Sequence, residues 1–81
     1  MRTVVVTAIG SFSADIVIKK CRENGMRVIG CDVYPGEWIA DAGNVDAFYQ
    51  VPYATDTDHY IGTMMFLCRK EGAEAVIPLT D

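Results

Sequence analysis

Apolar and polar positions follow two rhythms along this chain, and each change of rhythm marks an element. Val4-Val5-Val6 is β-branched and apolar on both parities, the pattern of a strand covered on both faces of a parallel sheet. It runs out at Ile9-Gly10-Ser11-Phe12-Ser13. Ala14, Val17, Ile18 and Cys21 then fall at i, i+3, i+4 and i+7, one stripe of a helix. Ser11 or Ser13 is placed to cap its start, and Asp15 suits its positive end. Lys19, Lys20 and Arg22 suit the other end, and Asn24-Gly25 stops the helix. Arg27-Val28-Ile29-Gly30-Cys31-Asp32 is a second short apolar strand that ends in a carboxylate.

Pro35-Gly36 turns the chain, and Glu37 to Ala42 leaves room for a turn or two of helix. Ala47 to Val51 is a third strand, stopped by Pro52. Asp56 is a candidate N-cap, with Asp58 in the first turn of a second helix. Tyr60, Ile61, Met64, Leu67 and Cys68 form its apolar stripe, and Gly72 closes it. Ala75 to Leu79 is a fourth strand, with Pro78, which has no amide to donate, near its end. Helices are therefore expected near residues 13–24 and 57–71. Strands alternating with helices predict an α/β, three-layer Rossmann-like fold with four parallel strands in the order 3-2-1-4. In that order the winding reverses between strands 1 and 4, and ligands bind at the strand C-termini beside the reversal.

Composition narrows the reading. Eighty-one residues with a mass of 8.9 kDa make one domain, residues 1–81, which folding relieves of about 63% of its unfolded surface. Seven Lys and Arg against eleven Asp and Glu give a net charge of −4. No basic face for nucleic acid can be assembled from so few scattered cations, and an anionic membrane surface is disfavoured for the same reason. Cys21, Cys31 and Cys68 contain no CxxC pair and read as small apolar fillers in a reducing cytoplasm. The opening apolar run is short and is followed too soon by Asp15, Lys19 and Lys20 to be a signal peptide.

The loop Thr7 to Ser13 meets the reversal point and leads into a helix, whose free amides attract anions. It is neither G-x-G-x-x-G nor a Walker A loop, because Gly10 is its single glycine and no G-K-[ST] follows. Two readings stay open: Gly10 supplies a turn and a serine caps the helix, or Gly10, Ser11, Phe12 and Ser13 line a ligand cleft. Asp32 lies near the place of the ribose-binding acid of a dinucleotide fold, though a cap or turn role fits it as well. Thr80 and Asp81, across the crevice, can hold a polar ligand or cap a following helix. His59 reads as a solvated surface histidine, and Tyr34 and Trp38 as partly buried over the sheet edge. Met64 and Met65 read as core and interface filler. No spacing of carboxylates implies acid–base catalysis, so no catalytic residue and no metal ligand is nominated.

Several segments together resemble one family. Val4-Val5-Val6-Thr7-Ala8-Ile9-Gly10-Ser11 looks like the first strand and loop of the domain that precedes an ATP-grasp fold. Arg27 to Asp32 is similar to that family's "V-I-G-x-D", and Ala42, Asp46 and Val51-Pro52 to its "A-x-x-x-D-x-x-x-x-V-P". Glu71-Gly72-Ala73-Glu74-Ala75-Val76-Ile77-Pro78 resembles its "E-G-x-D-x-V-I-P". The likeness is to carbamoyl-phosphate synthase large-subunit-like proteins, among ATP-dependent carboxylate–amine ligases. It implies a pre-ATP-grasp domain, the N-terminal fragment of a longer ligase. ATP and Mg2+ would bind mainly outside this chain, where an acyl phosphate forms and an amine or ammonia attacks it. Gly10, Ser11, Thr80 and Asp81 would line the cleft for a small carboxylate or amine substrate.

The partners so implied are the remaining ATP-grasp domains of the same polypeptide. The chain alone is expected to lack ligase and ATPase activity and to bind no cofactor. A stand-alone NAD- or nucleotide-binding Rossmann module is the alternative, against which the missing glycines count. A receiver-like domain is a third, for which Thr7-Ala8-Ile9 and Pro52-Tyr53-Ala54 supply neither the acidic cluster nor the phosphorylatable Asp. A homodimer through edge strand 4 is expected, with Val76 or Ile77 open on the face away from the second helix.

Overall fold

The computed structural model describes residues 2–79. β1 (Thr3–Val6) leads into α1 (Ala14–Glu23), and β2 (Arg27–Asp32) follows. Two short 3-10 turns, Gly36–Trp38 and Ala40–Asn44, connect it to β3 (Ala47–Gln50). α2 (Thr57–Glu71) and β4 (Ala75–Ile77) complete the order. All pairings are parallel and the strands lie in the order β3-β2-β1-β4, as the alternating pattern predicts. The fold is a Rossmann-like α/β sheet with a helix layer on each face.

The two faces form separate cores. Val4, Val6 and Val28 pack with Ile9, Ala14, Ile18 and Cys21 under α1. Val5, Ile29 and Cys31 pack with Val51, Met64 and Leu67 under α2. Every residue of β1 is buried, which is why its apolar run shows no alternation. Gly30 in β2 permits a close approach, since a Cβ there would lie 2.9 Å from Ile9 Cδ1 and 2.9 Å from Val45 Cγ1. Its absence lets the loop after β1 close down over β2.

Both helices end on glycines in the left-handed region. Gly25 has φ 74° and Gly72 φ 69°. The chain then reverses through Met26 N–H donating to Cys21 O at 3.0 Å and Ala73 N–H to Cys68 O at 2.9 Å, bonds that close off the helix ends. At the N-termini the expectation fails. Ser13 and Asp56 occupy the cap positions, but neither side chain caps. Ser13 has helical dihedrals (φ −83°, ψ −9°), whereas a capping side chain works from extended backbone.

Other expectations are also revised. β3 stops at Gln50 and β4 at Ile77, each short of the apolar run that predicted it. Ile61 and Met65 are exposed on the outer side of α2, whereas Met64 is buried as expected. Val76, 43% exposed, pairs with Val5 and so shares the α2 face. The open apolar position on β4 is thus beside the second helix. Ile77, on the opposite face, packs against the α1 core. No helix among the described residues is long and apolar enough to cross a membrane.

Candidate functional site

A crevice of about 660 Å³ opens at the C-terminal ends of the strands, beside the reversal between β1 and β4. The loop after β1 forms one wall and is stitched to its neighbours. Thr7 N–H donates to Ile77 O at 3.1 Å, and Ile9 N–H to Cys31 O at 3.2 Å. Leu79 N–H donates to Thr7 Oγ1 at 3.2 Å, drawing the segment after β4 over the same opening. Ala8, with φ 52°, adopts the left-handed conformation that an alanine rarely takes. Its carbonyl accepts from Ser11 N–H at 3.0 Å, which closes the turn.

Asp32 holds the second wall. It is only 7% exposed. One carboxylate oxygen accepts from Gly10 N–H at 2.9 Å. The other accepts from Val33 N–H at 2.7 Å and Tyr34 N–H at 3.3 Å. The residue therefore clamps the loop after β1 to the turn after β2, the bland reading of the two that its position allowed. Three of roughly four acceptor positions on a carboxylate are engaged, so about one is left for a ligand. Gly10 keeps this junction close: a Cβ would stand 3.0 Å from Asp32 Oδ2 and 3.1 Å from Ile39 Cδ1, so these side chains would have to give by a few tenths of an ångström.

The candidate residues are distributed unevenly. Gly10, Ser11 and Asp32 line the crevice, but Phe12 and Ser13 do not. Phe12 projects from the loop fully exposed. Ser11 is buried, and its Oγ has no hydrogen-bond partner among the described residues. Thr80 and Asp81 lie outside the described residues. His59 is at the surface, with Nδ1 2.9 Å from Asp56 Oδ2, and is not part of the crevice.

Sequence reasoning missed the aromatic wall. Tyr34, Trp38 and Tyr60 line the crevice. Tyr34 and Trp38 are 48% and 70% exposed, not partly buried over the sheet edge, and their ring centroids are 6.1 Å apart. The signal was present: a connection leaving the C-terminal end of β2 must begin at the rim where ligands bind.

The chemistry near the walls is restricted. Cys31 belongs to the core under α2 and does not line the crevice; burial, with lesser contributions from the Asp32 and Cys68 charges, pushes its thiol up to about 12, so it stays protonated and is no nucleophile. Burial and then Cys31 also raise Tyr60 above its ordinary value. Among the described residues, no Lys or Arg lines the crevice, and no group of three or more His, Cys, Asp or Glu gathers as a metal site. These walls present no cationic side chain and a single glycine, Gly10, where the phosphates of a nucleotide are commonly held by cationic or glycine-amide cradles.

A second concavity of about 710 Å³ lies between α1 and the Gly43–Asn44 turn. Its Arg22 is already engaged by Asn44 O at 2.5 Å and Asp46 at 3.8 Å. The crevice at the strand ends is the candidate site. No family model matches the chain, and no curated protein matches it.

Proposed function

We propose that this chain is the substrate-cleft domain of an ATP-dependent carboxylate–amine ligase of the ATP-grasp type, similar to the carbamoyl-phosphate synthase large subunit. The observation that carries this reading is a formed crevice at the sheet reversal whose walls can seat a small molecule but contain no nucleophile–base pair. In such a ligase ATP supplies the activation of a carboxylate. The residues of this chain would bind and orient a substrate while the remaining ATP-grasp domains of the same polypeptide hold the nucleotide and Mg2+. The Asp32 carboxylate, engaged by three backbone N–H groups, suits a wall more than a reacting centre. The free cysteines fit a reducing cytoplasm.

The dinucleotide-module alternative is weakened by the single glycine of the loop after β1 and, among the described residues, by a crevice lining without basic side chains. The test is phosphate release from Mg·ATP by the purified chain, with bicarbonate and ammonium as co-substrates. The chain should release none above a no-protein control. Turnover that co-purifies with the chain and is lost in an Asp32→Ala variant would contradict the reading.

A further inference from the structure

We infer that the ligand of the crevice is an organic cation, an ammonium group carried on a compact apolar body. The inference rests on the proposed cleft-domain reading and names the substrate class that this wall would present, the amine and not the carboxylate. Two features of one opening point the same way. Among the described residues its only charged wall residue is Asp32, and no Lys or Arg balances it. Its rim carries Tyr34 and Trp38, two adjacent rings with their planes 30° apart and much of their surface open. Ring faces attract cations, and Trp does so most strongly.

An anionic ligand would meet the opposite conditions. It would stand beside a largely buried carboxylate with no countercharge and would leave the ring faces without an electrostatic role. A neutral flat ligand would use the rings but gain nothing from Asp32. The Asp32 carboxylate retains about one acceptor position after its three backbone bonds. It can therefore receive an ammonium N–H without releasing the loop it clamps. The net charge of −4 adds a long-range attraction of the same sign preference.

The chain has a single tryptophan, Trp38, so its emission reports on the crevice rim. The experiment titrates the chain with benzylammonium, benzyl alcohol and benzoate, three probes of one shape and three charges. Benzylammonium should saturate the emission change at roughly fivefold lower concentration than benzyl alcohol, with benzoate weakest. In Trp38→Ala, followed by the amide resonances of Val33 and Tyr34, the advantage of the ammonium over the alcohol should shrink about two- to fivefold. Trp38 is mostly exposed, so this variant should keep the fold. Equal or tighter binding of benzoate at the crevice would overturn the inference and leave the cleft reading standing. No saturable change with any probe at millimolar concentrations would overturn the inference as well. Phosphate release from Mg·ATP by the chain is the separate result that would contradict the cleft reading.

Discussion

Asp32 shows how much one side chain can organise. Its carboxylate accepts from Gly10, Val33 and Tyr34, and so fixes the two connections that frame the crevice relative to each other. An Asn there keeps one acceptor oxygen but turns an NH2 group toward a backbone N–H. Asp32→Asn should therefore lower stability by about 1–3 kcal/mol, the cost of leaving a buried donor unpaired. A shift in urea midpoint at unchanged slope would register it, and an unchanged midpoint would mean that the clamp carries no weight. The position of Asp32 at the end of β2 was legible in the sequence; the identity of its partners was not. Spacing places an acid near a ligand site but does not reveal which backbone donors reach it first.

The elements themselves were legible from their stripes. Ala14, Ile18 and Cys21 are buried on α1, and Met64 and Leu67 on α2, because a 3.6-residue period leaves each helix one way to face the sheet. Capping was less legible. Ser13 and Asp56 have the favoured residue types, but Ser13 has helical backbone and the Asp56 carboxylate lies against His59. Ile61 has the right chemistry for the α2 stripe but sits on its exposed flank, a difference of one position that composition does not encode. These placements predict unequal substitutions. Leu67→Ala should cost about 2–5 kcal/mol as a core cavity. Ile61→Ala should stay within about 0.5 kcal/mol, as surface changes do. Thermal melts of the two variants check the contrast, and similar losses in both would place α2 wrongly on the sheet.

At the scale of the molecule, long-range ties close the sheet at the end opposite the crevice. Glu71, at the end of α2, pairs with Arg27 at 2.6 Å and accepts from the Tyr49 hydroxyl. The Tyr49 bond first, and Arg27 second, hold its carboxyl below the ordinary value of 4.5. The ionised form is thus favoured by folding. Its contribution is complete above that ordinary value and is lost as pH falls through the lower folded value. Glu71→Gln should flatten the decline in stability between about pH 5 and pH 3, read from urea midpoints across that window. An unaltered decline would show that other carboxylates govern acid unfolding.

The same scale exposes the edge. β4 is a three-residue edge strand among the described residues, and Val76 on it is open, as are Ile61, Met65 and Phe66 of α2. Unpaired edges and apolar patches favour association. We therefore expect the chain to dimerise at micromolar concentration in sedimentation, and Val76→Lys to restore the monomer. A wild-type chain that stays monomeric would remove the edge from the account.

The strand order was legible because parallel crossovers permit few arrangements, whereas the aromatic rim was not, since Tyr34 and Trp38 acquire their meaning only once β2 ends beneath them. That rim and the Asp32 clamp support the proposal that the crevice is a substrate wall and not a nucleotide site, which is the central claim. Amide chemical-shift mapping of one labelled sample, titrated first with benzylammonium and then with Mg·ATP, tests it most directly. The amine should move the resonances of Gly10, Ser11, Val33 and Tyr34, and Mg·ATP should leave them in place. Shifts at those amides with Mg·ATP and none with the amine would contradict the account.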